Sequence, residues 1–286
     1  MRKVSVRSWE VLIAALGLVA VSLTAGVAHA GVEQITNGSF QAPGVEGATP
    51  NDWIATNFFN ESGPYDANIS TYDVDGQYPG PTGTPGGDVA GNFSTEAFYE
   101  AGNDTGVEGF GGSQSLTVAS SGDPQLSWST AETDAPDPSV ANWAGSAVEV
   151  DFTSGSNSYN LIFVNPFTSS GGAYSLSPTS SDTSTTQYVV LSTLTDNTWY
   201  TQTPVDVPSY VLSQFGLSSF TINSVDFENL EDTSSSGYPY PNMDSYWKNI
   251  SLQTSAVPEP GSIGLLSVAS VGLMARRSGR KRSQKI

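Results

Sequence analysis

Cysteine is absent from all 286 residues, and histidine occurs once, at His29. Without thiols no disulfide can staple the fold, so stability must come from a buried core. Basic residues are almost as scarce in the body of the chain. Arg2, Lys3 and Arg7 stand at the start and Arg276, Arg277, Arg280, Lys281, Arg282 and Lys285 at the end, which leaves Lys248 alone between them. Of the 28 acidic residues only Glu10 and Glu259 lie outside residues 31–255, so this central region holds 26 acids against one base, a formal charge of −25.

These absences exclude most chemistry. Nucleic acid is not a partner, because phosphates are bound by basic side chains that displace counterions. A mature region without His, Cys or Arg has no Ser-His-Asp or Cys-His nucleophile and no His or Cys zinc site. It has no guanidinium to clamp a phosphate or carboxylate, and no G-x-x-x-x-G-K-[ST] loop. Carboxylate chemistry survives: glycoside hydrolysis by paired acids, or oxygen-ligand metal binding, with calcium the one cofactor that the acidity suggests.

What is present begins at the two ends. Arg2, Lys3 and Arg7 precede an apolar run from Val11 to Leu23, and Ala28-His29-Ala30 is a small-x-small site. That pattern predicts a secretory signal peptide over residues 1–30, cut between Ala30 and Gly31. At the other end Val257-Pro258-Glu259-Pro260 is followed by an uncharged apolar segment, Ser262 to Ala275, and then by the basic cluster that opens with Arg276 and Arg277. The prolines hold Pro258-Glu259-Pro260 extended. The apolar segment is shorter than the ~20 residues that cross a bilayer comfortably, and the basic cluster would keep its end on the cytoplasmic side.

This order resembles the PEP-CTERM sorting signal of exported bacterial proteins, over residues 257–282. The resemblance implies a short C-terminal transmembrane helix, processing near Pro258, Glu259 and Pro260 by an exosortase, and delivery to the cell surface or extracellular matrix. The expected partners are therefore the exosortase and, through the tail, the membrane.

Residues 31–255 read as one all-β domain. Short β-branched and aromatic runs alternate with Gly, Pro, Asn, Asp and Ser clusters, the spacing of a β-sandwich. The predicted strands are Ile35–Phe40, Trp53–Phe58, Val89–Phe93, Gln114–Ala119, Gln125–Ser129, Ala147–Phe152, Tyr159–Val164, Gln187–Leu194, Thr198–Val205, Thr221–Asn229 and Tyr246–Gln253. In Ala147–Phe152 strict alternation places Val148, Val150 and Phe152 in the core, with Glu149 and Asp151 toward solvent. Ser209 to Phe215 predicts a short helix, with Ser209 as N-cap and Gly216 as terminator.

Asn37-Gly38-Ser39-Phe40, Pro50-Asn51-Asp52-Trp53 and Asp244 to Leu252 resemble the opening and closing strands of galactose-binding-like jelly rolls. That resemblance implies a single jelly-roll-like sandwich with first and last strands adjacent, a polysaccharide ligand, and calcium near the termini at Asn37 and Asp244.

Candidate sites follow from side-chain type. Sugars stack on exposed aromatic faces beside hydrogen-bonding groups, which makes Tyr72, Tyr78, Trp143, Tyr238 and Tyr240 candidate ligand-binding residues. Asp73-x-Asp75-Gly76 opens like an EF-hand loop, but its twelfth position is Thr84, so only a looser calcium cage of Asp73, Asp75 and Asp88 stays open. Glu149/Asp151, Asp226/Glu228 and Glu231/Asp232 are the carboxylate pairs a glycosidase would use; in the first two both members share a strand face. Chance pairing explains them better in so acidic a region, so no catalytic residue is assigned. The expectation is a non-enzymatic surface or matrix protein, with polysaccharide binding; a carbohydrate-active enzyme and a purely structural protein are the alternatives.

Overall fold

In the computed structural model the described residues are 31–40, 50–59, 68–73, 93–100, 106–134, 141–168, 173–195, 198–233 and 242–255. They form strands β1 (Val32–Glu33), β2 (Ile54–Phe59), β3 (Asn68–Asp73), β4 (Phe93–Glu100), β5 (Gly106–Ala119), β6 (Gln125–Asp134) and β7 (Ala141–Ser154). There follow β8 (Asn157–Pro166), β9 (Thr186–Val190), β10 (Tyr200–Thr201), β11 (Val205–Asp206), helix α1 (Val207–Phe215), β12 (Thr221–Thr233) and β13 (Asn242–Thr254).

The strands make two sheets. One has seven, in the order β10-β6-β13-β4-β3, with β1 added beside β13 and β11 beside β6. The other has six, in the order β2-β5-β12-β7-β8-β9. All pairings are antiparallel except β8 with β9. The pairing defines how the chain wraps. β4 and β5 lie against β13 and β12 in the two sheets, and β6 and β7 flank the same two strands on their other sides. A β12–β13 ribbon crossing from sheet to sheet between two ribbons that do likewise is jelly-roll winding, so the all-β sandwich expectation holds.

Side chains at alternate positions explain why the sheets adhere. Val148, Val150 and Phe152 on β7, Leu161 and Phe163 on β8 and Phe227 on β12 join Leu126, Trp128, Trp247 and Leu252 of the opposite sheet in one buried cluster. Trp128 meets Phe163 with centroids 6.0 Å apart, and Phe227 meets Trp247 at 5.1 Å. Two irregularities keep the alternation in phase with this core. A register shift between Ile222 and Ser224 lets Ile222 and Val225 both face inward. Another between Lys248 and Ser251, where Asn249 takes φ 56°, does the same for Trp247 and Ile250.

Several predicted elements shift. Ile35–Phe40 is not a strand: residues 36–39 are bends and turns, Asn37 and Phe40 have φ of 50° and 56°, and the strand precedes them at β1. Gly38 is needed there because a Cβ would sit 1.8 Å from the Ile250 carbonyl oxygen. The predicted Thr198–Val205 strand is two short pieces, β10 and β11. The helix starts earlier, with Asp206 as N-cap accepting from the Ser209 amide, and ends at Gly216, φ 70°. First and last strands pair as the jelly-roll resemblance implies, Val32 opposite Thr254 and Glu33 opposite Gln253. No helix among the described residues is long and apolar enough to cross a membrane, and residues 1–30 and 256–286 lie outside them.

Candidate functional site

The middle strands of the six-stranded sheet are buried on both faces, and the outer face holds a dense group of acids. β12 runs between β5 and β7, with Asp226 opposite Glu149 and Ser224 opposite Asp151. Odd positions on β7 and even positions on β12 share this outer face, so Glu149, Asp151, Asp226 and Glu228 meet across the ladder. Glu149 is in hydrogen-bonding reach of both Glu228 and Asp151, and Asp226 of Asp151.

Glu149 and Asp151 therefore do not stand in solvent as the alternation suggested. Glu149 is 2% exposed, Asp226 1% and Glu228 0%. The reason is a second apolar layer on that face, built from Trp143, Ala147, Ile162, Val164, Tyr188 and Leu230. The segment after β8 turns back over it: the Leu176 amide donates to the Asn142 carbonyl at 3.0 Å, and Tyr174 packs on the cluster.

Donors to the acids are few. Asn160 Nδ2 donates to Glu149 Oε1 and to Asp151 Oδ1, the latter at 2.6 Å. Ser224 Oγ lies 2.8 Å from Asp151 Oδ2 and 3.1 Å from Asp226 Oδ2. Among the described residues, Glu228, Glu149 Oε2 and Asp226 Oδ1 find no amide, hydroxyl or ammonium donor, which leaves only neighbouring carboxyls as partners. Desolvation governs the result. Burial pushes Glu149 well above the ordinary carboxylate range, and the neighbouring Glu228 and Asp151 carboxylates push it further. Burial raises Asp226 to about 7, with the Asp151 charge adding to it and the Ser113 and Ser224 hydroxyls opposing. Glu228 rises to about 8, again chiefly by burial, although its hydrogen bond with Glu149 pulls the other way. Tyr188 is raised too, by burial first and then by the Glu228 and Glu149 charges.

A second polar group closes one end of the interior. Thr130 Oγ1 of β6 and Ser146 Oγ of β7 lie 2.9 Å apart across the sandwich, and Glu132, Asn229, Glu231 and Ser245 are buried on the same inward faces. Glu231 and Asp232 are thereby separated. Adjacent strand residues point to opposite faces, so Glu231 goes inside while Asp232 lies outside, where Asn142 Nδ2 donates to it at 3.3 Å.

The predicted ligand residues fare differently. Trp143 cannot stack on a sugar: it is 1% exposed and packs edge-on against Tyr188 at 5.7 Å. The other tryptophans of the domain, Trp53, Trp128, Trp199 and Trp247, are buried as well. Tyr72 and Asp73 close β3, while Tyr78, Asp75, Asp88, Tyr238 and Tyr240 lie outside the described residues. Asp73 and Phe93, which flank residues 74–92, pair at one end of β4, and Asn242, which follows residues 234–241, pairs with Glu100 at the other. The two ends of β4 are about 24 Å apart at strand rise.

The structure places the backbones of Asn37 and Asp244 apart. Asn37 Nδ2 donates to the Asn51 carbonyl at 2.9 Å, in a turn held against Ile250. Asp244 is six residues farther along β13, about 20 Å away. Among the described residues no group of three or more acidic side chains is arranged to hold a metal ion. Of the end-signal residues only Gly31 is described; Ala28, Ala30, Pro258, Glu259, Pro260, Arg276 and Arg277 lie outside.

Residues 256–281 match the PEP-CTERM protein-sorting motif. No curated protein matches the chain. Among solved structures, a family 12 xyloglucanase from Bacillus licheniformis in complex with ligand is similar over 70% of this chain and 98% of that one, at 8% identity and a TM-score of 0.31.

Proposed function

We propose that the chain, whose PEP-CTERM motif at residues 256–281 implies export and membrane anchoring until an exosortase processes it, then serves through its sandwich as a non-enzymatic component of the cell surface or extracellular matrix. One observation carries the non-enzymatic part. Of the carboxyls in the two same-face pairs, Glu149, Asp226 and Glu228 are sealed, at most 2% exposed, and only Asp151 is half-buried. Retaining and inverting glycosidases hold their two carboxyls roughly 5 Å or 6.5–9.5 Å apart, open to the sugar between them. Carboxyls in mutual contact beneath an apolar layer leave no room for a glycosidic oxygen or a water.

Polysaccharide contact, if the matrix role includes it, falls to Tyr72, Tyr78, Tyr238 and Tyr240, since the tryptophans are committed to packing. The purified full chain, applied to a polysaccharide array and to a panel of soluble glycans, tests both statements. The expected result is retention without any release of reducing ends, with retention lost in the Tyr238→Ala/Tyr240→Ala double variant. Release of reducing ends that vanishes in Glu149→Gln would refute the non-enzymatic reading.

A further inference from the structure

Two carboxylates in contact repel unless a proton lies between them, and on the outer face of the six-stranded sheet two such contacts cross from strand to strand, linked along β7 by the Glu149–Asp151 contact. Glu149 meets Glu228, and Asp151 meets Asp226, each contact joining β7 to β12. Every described group facing them is neutral or acidic. β5 contributes Ser113 and Gly109, which has no side chain and is packed under Leu230, a Cβ there falling 2.3 Å from Leu230 Cδ2 and 3.6 Å from Glu228 Oε2. β8 contributes Asn160, β9 contributes Tyr188, and the nearest further charges, Asp182 and Asp232, are also negative. Lys248, the one basic residue of the domain, sits in β13 of the other sheet, opposite Ser129. Nothing in the described surroundings can neutralise the acids electrostatically. Protons are left, at least one per contact.

We propose that these four carboxyls are a proton-held clasp between β7 and β12, fastened in acid surroundings and loosened in alkaline ones, which makes the exported sandwich a pH-responsive element. The position gives the clasp leverage. β7 and β12 are the middle pair of their sheet, joined over twelve registered positions from Thr221–Thr153 to Thr233–Ala141. Loosening it opens the sheet at its centre, beneath the apolar layer of Trp143 and Tyr188, and not at an edge.

The direction follows from linkage. Glu228 keeps its proton to about pH 8 in the folded chain, whereas the unfolded group releases it near 4.5. Asp226 keeps its own to about pH 7 against 3.8. Folding therefore takes up protons between these limits, and stability is highest at and below the lower ones. It declines as pH climbs through the window and levels off above the upper ones. Glu228 alone corresponds to an unfolding constant that rises by about three orders of magnitude across its window, tenfold per unit of pH.

The test is thermal unfolding and amide exchange of the full chain in mild detergent, from about pH 4.5 to 9, with exchange corrected for its intrinsic pH dependence. The proposal expects a midpoint that falls steadily with rising pH, and protection in β7 and β12 that drops at least tenfold while β6 and β13 hold. Glu228→Gln removes one titrating group without changing its size; it should raise the midpoint at pH 9, leave it unchanged at pH 4.5, and flatten the slope between. Glu149→Gln provides the same comparison from the other side of the contact. A midpoint flat with pH in the wild type overturns the clasp, as does equal loss of protection in both sheets. A low-pH midpoint that collapses in EDTA and returns with calcium also overturns it, because a cation would then be the neutralising group.

Discussion

Replacing Phe227 with alanine should be the most damaging single truncation in the sandwich. The ring is fully buried at the centre of β12 and touches Phe40, Trp53 and Trp247, with centroids 5.6, 5.0 and 5.1 Å away. Emptying a buried phenylalanine site costs about 3–5 kcal/mol, and each tilted or edge-on ring pair contributes roughly 0.5–1.5 kcal/mol beyond buried area. With three such pairs lost, the cost should reach the upper end of the truncation range, on the order of 5 kcal/mol, comparable with the whole stability of a marginal domain. Phe227→Leu keeps most of the volume and loses only the ring contacts, so its cost should fall near 2–3 kcal/mol. Urea unfolding followed by tryptophan emission is a suitable assay, because Trp53 and Trp247 are themselves in the cluster. Phe227→Ala should shift the midpoint strongly and, in marginal conditions, leave too little folded protein to measure. A loss below about 2 kcal/mol for the alanine variant, or equal losses for both variants, would show that the rings do not form one cooperative unit.

Other expectations follow from single contacts. Asp206→Ala removes the cap on α1, whose carboxylate accepts from the Ser209 amide at 3.2 Å and from its hydroxyl at 2.6 Å; the cost should be about 1 kcal/mol in urea unfolding. Glu33→Ala should free β1, since Glu33 Oε1 accepts from the amides of Gln34, Ile35 and Leu252 and Oε2 from the Ser251 hydroxyl; amide exchange at Leu252 should rise while that at Leu126 stays slow. Deleting residues 257–286 removes the sorting motif, so the truncated protein should appear in the medium and not with the membrane fraction.

How much could be read from the residues alone varied with the kind of signal. Alternation at Val148, Val150 and Phe152 identified a strand and its core face correctly, because period-two burial is local. The same alternation misjudged Glu149, since what covers the far face is a segment more than twenty residues downstream, around Tyr174 and Leu176. β3, Asn68–Asp73, was not anticipated: Asn-Ile-Ser-Thr-Tyr-Asp has little hydrophobic pattern to distinguish it from a polar loop. Asn37-Gly38-Ser39-Phe40 looked extended because Phe40 is buried, yet its burial comes from a turn with two left-handed residues. The sorting motif of the tail was legible, an ordered set of residue types whose recognition needs no fold. The carboxyl clasp was visible only as two same-face pairs; that they meet depends on the β12–β7 register, which no local pattern specifies.

The pairing of β13 bears on how the molecule resists force. This strand leads directly into the sorting tail, and it is bonded on one side to β4 and on the other to β6, both antiparallel. Tension drawn through the tail therefore runs along β13 itself and loads both ladders in shear, so many hydrogen bonds must fail together and not in sequence from one end. A tether attached at an edge strand would unzip bond by bond. Fastened through the middle of its larger sheet, the sandwich can be pulled from outside the cell and hold its shape.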